Sequence, residues 1–204
     1  DGVNLQAPVD ATGSFAVFGG GPSGGSDTLN LTGAVGVAEA VIVSPDASQP
    51  DDQDVLGLGA PIDVTGIELI TLTSQAADLD TLDVRLGDGD NVARVERGSD
   101  VGGANADLMS SDSLPAIQYT GLDSLMVTGG TGADVVTFAT WFLAGAVNTN
   151  YQFDGGATDT LVIEGVDGGT GAGDDSLTVR NATGAIPAGP VSVTNNKGAL
   201  VRVT

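Results

Sequence analysis

The residues best suited to chemistry in this chain are aspartates that stand beside glycine-rich turns. The clearest case is residues 129–137, Gly-Gly-Thr-Gly-Ala-Asp-Val-Val-Thr, in which Asp134 follows the turn and leads into an apolar pair. Glycine permits the left-handed backbone that a tight turn needs, which leaves backbone carbonyls free to point inward. Asp134 adds a hard carboxylate oxygen of the kind that Ca²⁺ prefers. The stretch is therefore a candidate calcium-binding turn that includes Gly129, Gly130 and Gly132.

Further aspartates occupy a similar position, close to a glycine-rich turn. They are Asp27, Asp88, Asp90, Asp159, Asp174 and Asp175. A phrase of Asp, Ser or Thr, Leu, any residue and an apolar residue begins at positions 27, 80, 123, 159 and 175. These aspartates could ligate calcium, or they could cap turns through side-chain hydrogen bonds to the backbone. The sequence leaves both interpretations open.

The composition excludes several kinds of active site. The chain has no His and no Cys, so Ser-His-Asp, Cys-His and His-ligated zinc arrangements are ruled out. The single lysine, Lys197, lies in a turn-like Asn-Asn-Lys-Gly sequence, which argues against a Schiff-base role. The aspartates are spread over repeated turns and do not converge on one place. We therefore predict no catalytic or cofactor-binding residue and no enzymatic activity.

The charge narrows the range of partners. The net charge is −21 with only six basic residues. Nucleic acid is excluded as a partner because phosphate contacts need a basic face. No apolar run reaches the length of about 18 residues that a transmembrane helix requires, so membrane insertion is not expected. A surface this acidic suits divalent cations.

The elements that must position the aspartates are short β-strands. Leu125 and Val127 alternate with polar neighbours, and a second strand is predicted at residues 135–138. Repeated apolar strands with glycine turns predict an all-β fold, specifically a right-handed parallel β-helix with irregular coils; the alternative is a β-sandwich. Residues 1–204 are predicted to form a single β-solenoid domain. Surface excursions are predicted near residues 44–54, 98–115 and 139–150.

At these residues the chain resembles the haemolysin-type, or RTX, calcium-binding repeats, whose nonapeptide is matched by residues 129–137. It is also similar to the repeat regions of very large bacterial surface proteins, through residues 66–72 and 121–136. The resemblance implies a secreted or cell-surface, structural, calcium-stabilised protein in a filament, surface layer or adhesin stalk. The alternative function is a carbohydrate-binding or carbohydrate-cleaving β-helix protein, with a cell-surface polysaccharide as its partner.

The two ends of the chain suggest a further partner. The chain closes on a strand-like phrase at residues 200–204, and the similar internal phrases at 62–65 and 117–120 are each followed by Gly, Ile or Leu, and an acid. The chain opens with Asp-Gly-Val-Asn-Leu, a weaker form of that continuation. We therefore expect copies of the protein, or adjoining repeats of a longer chain, to abut head to tail in a heterologous contact that does not close.

Overall fold

The computed structural model describes residues 2–10, 13–20, 27–49, 52–75, 79–99, 106–140, 150–156, 158–165 and 191–194. Within these ranges the chain forms sixteen β-strands and no helix, so the predicted all-β class is confirmed. Accordingly, these ranges contain no helix long and apolar enough to cross a membrane. Asp174, Asp175 and the phrase at residues 200–204 lie outside the described residues.

The strands are short, with four to six residues each. The first eight are β1 (Gly2–Gln6), β2 (Phe15–Phe18), β3 (Thr28–Thr32), β4 (Ala40–Pro45), β5 (Asp52–Leu56), β6 (Ile62–Thr65), β7 (Leu69–Thr73) and β8 (Thr81–Arg85). The others are β9 (Val92–Arg97), β10 (Asp107–Ser111), β11 (Ala116–Thr120), β12 (Ser124–Thr128), β13 (Val135–Thr140), β14 (Asn150–Asp154), β15 (Thr160–Gly165) and β16 (Val191–Thr194).

The strands are arranged in two mixed sheets. The nine-stranded sheet has the order β1-β3-β7-β11-β10-β9-β13-β15-β16, and the seven-stranded sheet has the order β14-β12-β8-β4-β5-β6-β2. Consecutive strands alternate between the two sheets over much of the chain, so most strand neighbours are parallel. Antiparallel pairing is confined, among the described strands, to β4-β5-β6 and β9-β10-β11.

The period-2 pattern of the strands builds the core. In β3, Leu29 and Leu31 are buried while their neighbours face outward, and β7 places Ile70 and Leu72 in register with them. Burying a Leu or Ile side chain contributes about 1.5–3 kcal/mol. The parallel register stacks similar side chains into rows that run through the core of each sheet. One such row in the seven-stranded sheet contains Val41, Leu82, Leu125 and Tyr151.

Two of the predicted surface excursions contribute strands. In the region of residues 44–54, β4 extends to Pro45 and β5 begins at Asp52, and the two form an antiparallel hairpin. In the region of residues 98–115, β10 inserts between β9 and β11, where Met109 is buried. The sequence around Met109 contains too few apolar residues to show a strand pattern. Met109 is buried because β10 lies between β9 and β11. In the third region, residues 141–149 lie outside the described residues.

Candidate metal centre

The candidate aspartates lie at corners, where the chain leaves one sheet and starts a strand in the other. β12 ends at Thr128, the glycine-rich turn follows, and Asp134 immediately precedes β13. Asp159 has the same position ahead of β15. β13 and β15 are parallel neighbours in which Val135 is aligned with Thr160. This register makes Asp134 and Asp159 neighbours at the corner.

Asp134 is wholly buried, and its two carboxylate oxygens have different surroundings. Oδ1 accepts hydrogen bonds from the backbone N–H of Asn91 at 3.0 Å and from Asn91 Nδ2 at 2.8 Å. Oδ2 is also buried, and no described residue donates a hydrogen bond to it. A buried carboxylate oxygen without a partner is costly, which makes it a natural position for a cation.

Asp159 brings a second carboxylate to the same corner. Its Oδ1 accepts the backbone N–H of Asp134 at 3.0 Å, and its Oδ2 accepts that of Gly156 at 2.5 Å. A Cβ on Gly129 would lie 2.7 Å from Oδ2 of Asp134 and 2.8 Å from Oδ2 of Asp159. The two Oδ2 atoms therefore face one small space that exists because residue 129 has no side chain.

This geometry corrects the role expected for the first two glycines of the turn. Only Gly132 of the three has a left-handed backbone, with φ of 130°. Gly129 is needed for the approach of the two carboxylates. Gly130 is needed for turn stacking, because a Cβ there would lie 2.4 Å from the carbonyl oxygen of Gly87. The glycines therefore serve mainly close packing between neighbouring turns.

The chemistry of the corner fits a hard cation. Two buried carboxylates repel each other unless a positive charge lies between them. Arg85 and Arg94 pair with Asp83 and Glu96 at 2.8 and 2.7 Å. Ca²⁺ takes six to eight oxygen ligands, so backbone carbonyls or waters would have to complete its shell beside Asp134 and Asp159. The parts of the chain that the structure describes contain no group of three or more acidic, His or Cys side chains arranged around one metal position.

Asp88 and Asp90 lie in the neighbouring turn and have a different role. Oδ1 of Asp88 accepts a hydrogen bond from the hydroxyl of Thr131 at 2.9 Å. Oδ1 of Asp90 accepts the backbone N–H of Ala133 at 2.8 Å. Both carboxylates are exposed. Each of them binds a residue of the neighbouring turn, which is stacked on the turn that contains Asp88 and Asp90. Asp90 is therefore an acceptor for a backbone N–H, whereas Asp88 bonds to a side chain.

Asp27 lies at a separate corner, ahead of β3, and is not brought to Asp134. Its Oδ2 accepts the backbone N–H of Gly20 at 2.5 Å, and this bond is the main reason that the pKa of Asp27 lies below its usual value. Its own N–H donates to Oε2 of Glu68 at 2.6 Å. Asp27 thus binds backbone groups at its own corner.

A second buried acidic pair was not among the predicted site residues. Glu39 and Asp80, which immediately precede β4 and β8, are 7% and 2% exposed. The N–H of Glu39 donates to Oδ1 of Asp80 at 2.7 Å, and the hydroxyl of Ser74 donates to Oδ2. Gly33 faces this pair, since a Cβ there would lie 2.7 Å from Oε2 of Glu39. The feature of the sequence that could have identified this pair is the position of each acid directly before a strand.

The same hydrogen bond recurs at several corners. The residue before a strand uses its side-chain oxygen to accept the N–H of the corresponding residue before the neighbouring parallel strand. The donor and acceptor pairs are Asp27 with Glu68, Glu39 with Asp80, Asn91 with Asp134, and Asp134 with Asp159. We call this series the corner ladder. It satisfies backbone N–H groups that lie just outside the strand pairing.

A polar cluster also lies at the edge of the core. The hydroxyl of Tyr151 donates to Oδ2 of Asp107 at 2.8 Å, and the ring of Tyr151 packs against Phe138 with centroids 5.7 Å apart. Burial raises the pKa of Asp107, and it raises the pKa of the buried Tyr119 well above its ordinary value. These groups pack between the sheets. None of the hydrogen bonds described above joins them to Asp134 or Asp159.

Comparison of the chain with protein-family models, with curated proteins and with solved structures finds no match. The likeness to RTX repeats therefore depends on residues 129–137 and the related phrases in the sequence.

Proposed function

We propose that this chain is a structural, non-catalytic segment of an extracellular bacterial assembly such as a filament, surface layer or adhesin stalk. In this proposal calcium stabilises the fold, and successive segments stack head to tail. The observation that carries the proposal is the corner at Gly129, where Asp134 and Asp159 from neighbouring parallel strands face one space. A cation held there would join two consecutive turns of the chain.

The corner ladder supports a structural role. It links corresponding positions of parallel neighbours in both sheets, from Asp27 near one end to Asp159 near the other. Such repetition is typical of a protein whose stability is built from one unit to the next. The alternation of strands between two sheets supports the finer proposal of an irregular parallel β-helix, interrupted by the antiparallel insertions at β5 and β10.

Calcium is proposed because of the donor chemistry and the charge. The carboxylates of Asp134 and Asp159 would hold the ion, and the missing side chain of Gly129 would leave room for it. When bound, Ca²⁺ would supply the positive charge that offsets two buried carboxylates in a chain of net charge −21. The match of residues 129–137 to the RTX nonapeptide supports the same ion and a secreted or cell-surface location, where weak calcium sites are filled.

The test is thermal unfolding of the full chain with CaCl₂, with MgCl₂, and with a chelator. A ligand that binds only the folded state stabilises it by about 2.7 kcal/mol at one hundred times its Kd. For a domain of this size that corresponds to a rise in Tm of about 5–10 °C. Mg²⁺ should give a smaller rise because it demands a tighter octahedral shell.

Two results would contradict the proposal. An unchanged Tm on chelation, together with no heat of Ca²⁺ binding by calorimetry, would remove calcium and leave the aspartates as backbone acceptors. Turnover of an acidic polysaccharide in the presence of calcium would contradict the non-catalytic role and favour the carbohydrate-cleaving alternative.

A further inference from the structure

The side-chain amide of Asn91 contacts Asp134 through Oδ1, the carboxylate oxygen on the other side from the space at Gly129. Nδ2 of Asn91 lies 2.8 Å from this Oδ1 and 2.8 Å from each of two backbone carbonyl oxygens, those of Gly87 and Gly89. Asn91 is only 5% exposed. Because an amide nitrogen has two hydrogens, one hydrogen must serve two of the three oxygens. One buried nitrogen therefore donates to three oxygens that converge on it.

These three oxygens are of the types that bind a hard cation. Backbone carbonyls and a carboxylate are ligands that Ca²⁺ takes in proteins. Here the partly positive hydrogens of the Asn91 amide face them instead. The oxygen end of the same side chain could not take this position, because it has no hydrogen to donate. The amide nitrogen thus does for these oxygens what a bound cation would do.

The neighbouring turn has an acid at the position of Asn91. β13 is a parallel neighbour of β9, and Val135 is aligned with Val92, so Asp134 corresponds to Asn91. The glycines of the two turns are stacked in the same order. The stacked pairs are Gly87 with Gly130 and Gly89 with Gly132. In each pair a Cβ on the second glycine would lie 2.4 Å from the carbonyl oxygen of the first.

The two turns therefore share their glycines but differ in the side chain at the corner. In the first turn the amide of Asn91 supplies donors to the oxygens around it. In the second turn Asp134 has a carboxylate oxygen in place of the amide nitrogen, and no described residue donates a hydrogen bond to its Oδ2. A positive charge is missing only from the second turn.

We propose that the amide of Asn91 takes the place of a cation in the turn at residues 87–91, so that the ion at this corner is bound only on the Gly129 side of Asp134. This inference rests on the proposed function and names the residue that selects between two neighbouring turns. The turn at residues 87–91 keeps its form without calcium, because its donor is part of the chain. Asn91 is in this sense a specificity-determining residue for the ion.

The experiment replaces the amide nitrogen at residue 91 with an oxygen. Asn91→Asp keeps the size and shape of the side chain, removes the donor and adds a carboxylate next to Oδ1 of Asp134. The matched control is Asn30→Asp, which makes the same change of charge and also removes an amide donor, in this case an exposed one that bonds to Oδ1 of Asn4 at 2.9 Å. Calorimetric titration of the full chain with CaCl₂ counts the bound ions, and thermal unfolding in chelator and in CaCl₂ measures their effect on Tm.

Asn91→Asp should bind one more Ca²⁺ than the wild type. In chelator its Tm should be lower than that of the wild type, because the new oxygen faces three others. Calcium should then raise its Tm by about 5–10 °C more than it raises the Tm of the wild type, which is the effect of one added site at one hundred times its Kd. Asn30→Asp should bind the same number of ions as the wild type and show the same rise in Tm.

Four results would overturn the role of Asn91. The first is a folded Asn91→Asp variant that binds no additional ion, and the second is an Asn91→Asp variant that stays unfolded in CaCl₂. The third is an Asn91→Asp variant as stable as the wild type in chelator. The fourth is an equal gain of bound calcium by Asn30→Asp, because that would assign the extra ion to the added charge alone.

The same samples separate this inference from the proposed function. A wild type that responds to calcium, together with an Asn91→Asp variant that gains no ion, would overturn the role of Asn91 and leave the proposed function intact. A wild type without any calcium response, together with an Asn91→Asp variant that binds Ca²⁺, would support the replacement of a cation by the amide and overturn the calcium part of the proposed function.

Discussion

The backbone N–H of Asp134 donates to Oδ1 of Asp159 at 3.0 Å, although the two residues are 25 positions apart. Asp134 in turn accepts the N–H of Asn91, 43 positions earlier, through its own Oδ1. Asp134 therefore donates to the residue before one neighbouring strand and accepts from the residue before the other. The carboxylates that fix the register of the strands are the same ones that bring two oxygens to Gly129.

Asp134→Asn should have opposite effects with and without calcium. The variant keeps an oxygen that accepts from Asn91 and replaces the unpartnered Oδ2 with an amide donor next to Oδ2 of Asp159. Without calcium we expect a gain of about 1 kcal/mol, because a repulsion is exchanged for a hydrogen bond. With calcium the variant should lose the Tm rise of the wild type, because one ligand charge is gone.

Thermal unfolding in chelator and in CaCl₂ measures both effects. The control is Asp88→Asn, whose exposed carboxylate bonds to Thr131 in the stacked turn. That variant should retain the calcium response. If Asp134→Asn were less stable than wild type in chelator and still responded fully to calcium, Oδ2 of Asp134 would not be the position that we assign to the ion.

Gly129→Ala should be far more damaging than Gly156→Ala, although the two glycines lie in neighbouring turns. A Cβ at residue 129 would lie within 2.8 Å of two carboxylate oxygens, whereas a Cβ at residue 156 would meet its nearest atom at 3.6 Å. Overpacking of this kind costs about 1–3 kcal/mol. We expect Gly129→Ala to lose about that much stability together with the calcium response, as measured by urea unfolding in both buffers.

Equal stability of the two alanine variants would contradict the close approach at residue 129. Neither glycine has a left-handed backbone, so the comparison isolates space from backbone strain. A Gly156→Ala variant that lost the calcium response would instead place the ion closer to the second turn.

The sequence identified Asp134 and Asp159 as separate candidates because their pattern is local, but it did not predict that the two meet at Gly129. Residues 129–137 contain the turn, the acid and the start of the strand in one stretch, and Asp159 stands in a shorter copy of it. The Glu39–Asp80 pair was missed because Glu39 follows a looser turn, and because its partner lies 41 residues away. No local pattern specifies which strand becomes the neighbour of which.

The same limit explains the parts of the fold that were not predicted. The alternation of Val and Leu identifies a strand, but it does not state whether the neighbour is parallel or antiparallel. β5 and β10 are antiparallel insertions in sheets that are otherwise parallel, and each is placed by strands on both of its sides. The reason for Gly129 was also hidden, because the atoms that exclude a side chain there come from Asp134 and from the next turn.

Asp80→Ala should cost more stability than Asp90→Ala. Each carboxylate accepts a backbone N–H from a neighbouring turn, from Glu39 in one case and from Ala133 in the other. Asp80 is buried, so its loss leaves the N–H of Glu39 and the hydroxyl of Ser74 without their acceptor in a place that water does not reach. That should cost about 1–3 kcal/mol.

Asp90 is exposed, and water can replace its carboxylate, so the cost there should remain below about 1 kcal/mol. Chemical denaturation of both variants in chelator measures the difference without any contribution from calcium. Similar losses in the two variants would show that the buried Glu39–Asp80 bond of the corner ladder contributes no more than the exposed bond between Ala133 and Asp90.

Asp107→Asn and Asp46→Asn should change the pH dependence of stability in opposite directions. Burial raises the pKa of Asp107 despite opposing contributions from Tyr151 and Arg97, whereas the backbone N–H of Ser48 lowers the pKa of Asp46. A raised pKa means that the folded state binds the proton more tightly than the unfolded chain does. The stability from Asp107 is therefore full at pH below the unfolded pKa of about 3.9, and it is lost as the pH rises through the folded pKa.

For Asp46 the sign is reversed, because its stabilising contribution is present above the unfolded pKa and is lost as the pH falls through the lower, folded pKa. Relative to wild type, Asp107→Asn should gain stability between about pH 4 and pH 7, since the asparagine keeps an acceptor for the hydroxyl of Tyr151 and carries no charge to bury. As the pH rises and Asp46 ionises in the wild type, Asp46→Asn should become less stable than wild type. Urea unfolding at intervals of pH in chelator gives both differences. Curves of the same sign for the two variants would contradict the burial of the Asp107 carboxylate beside Tyr151.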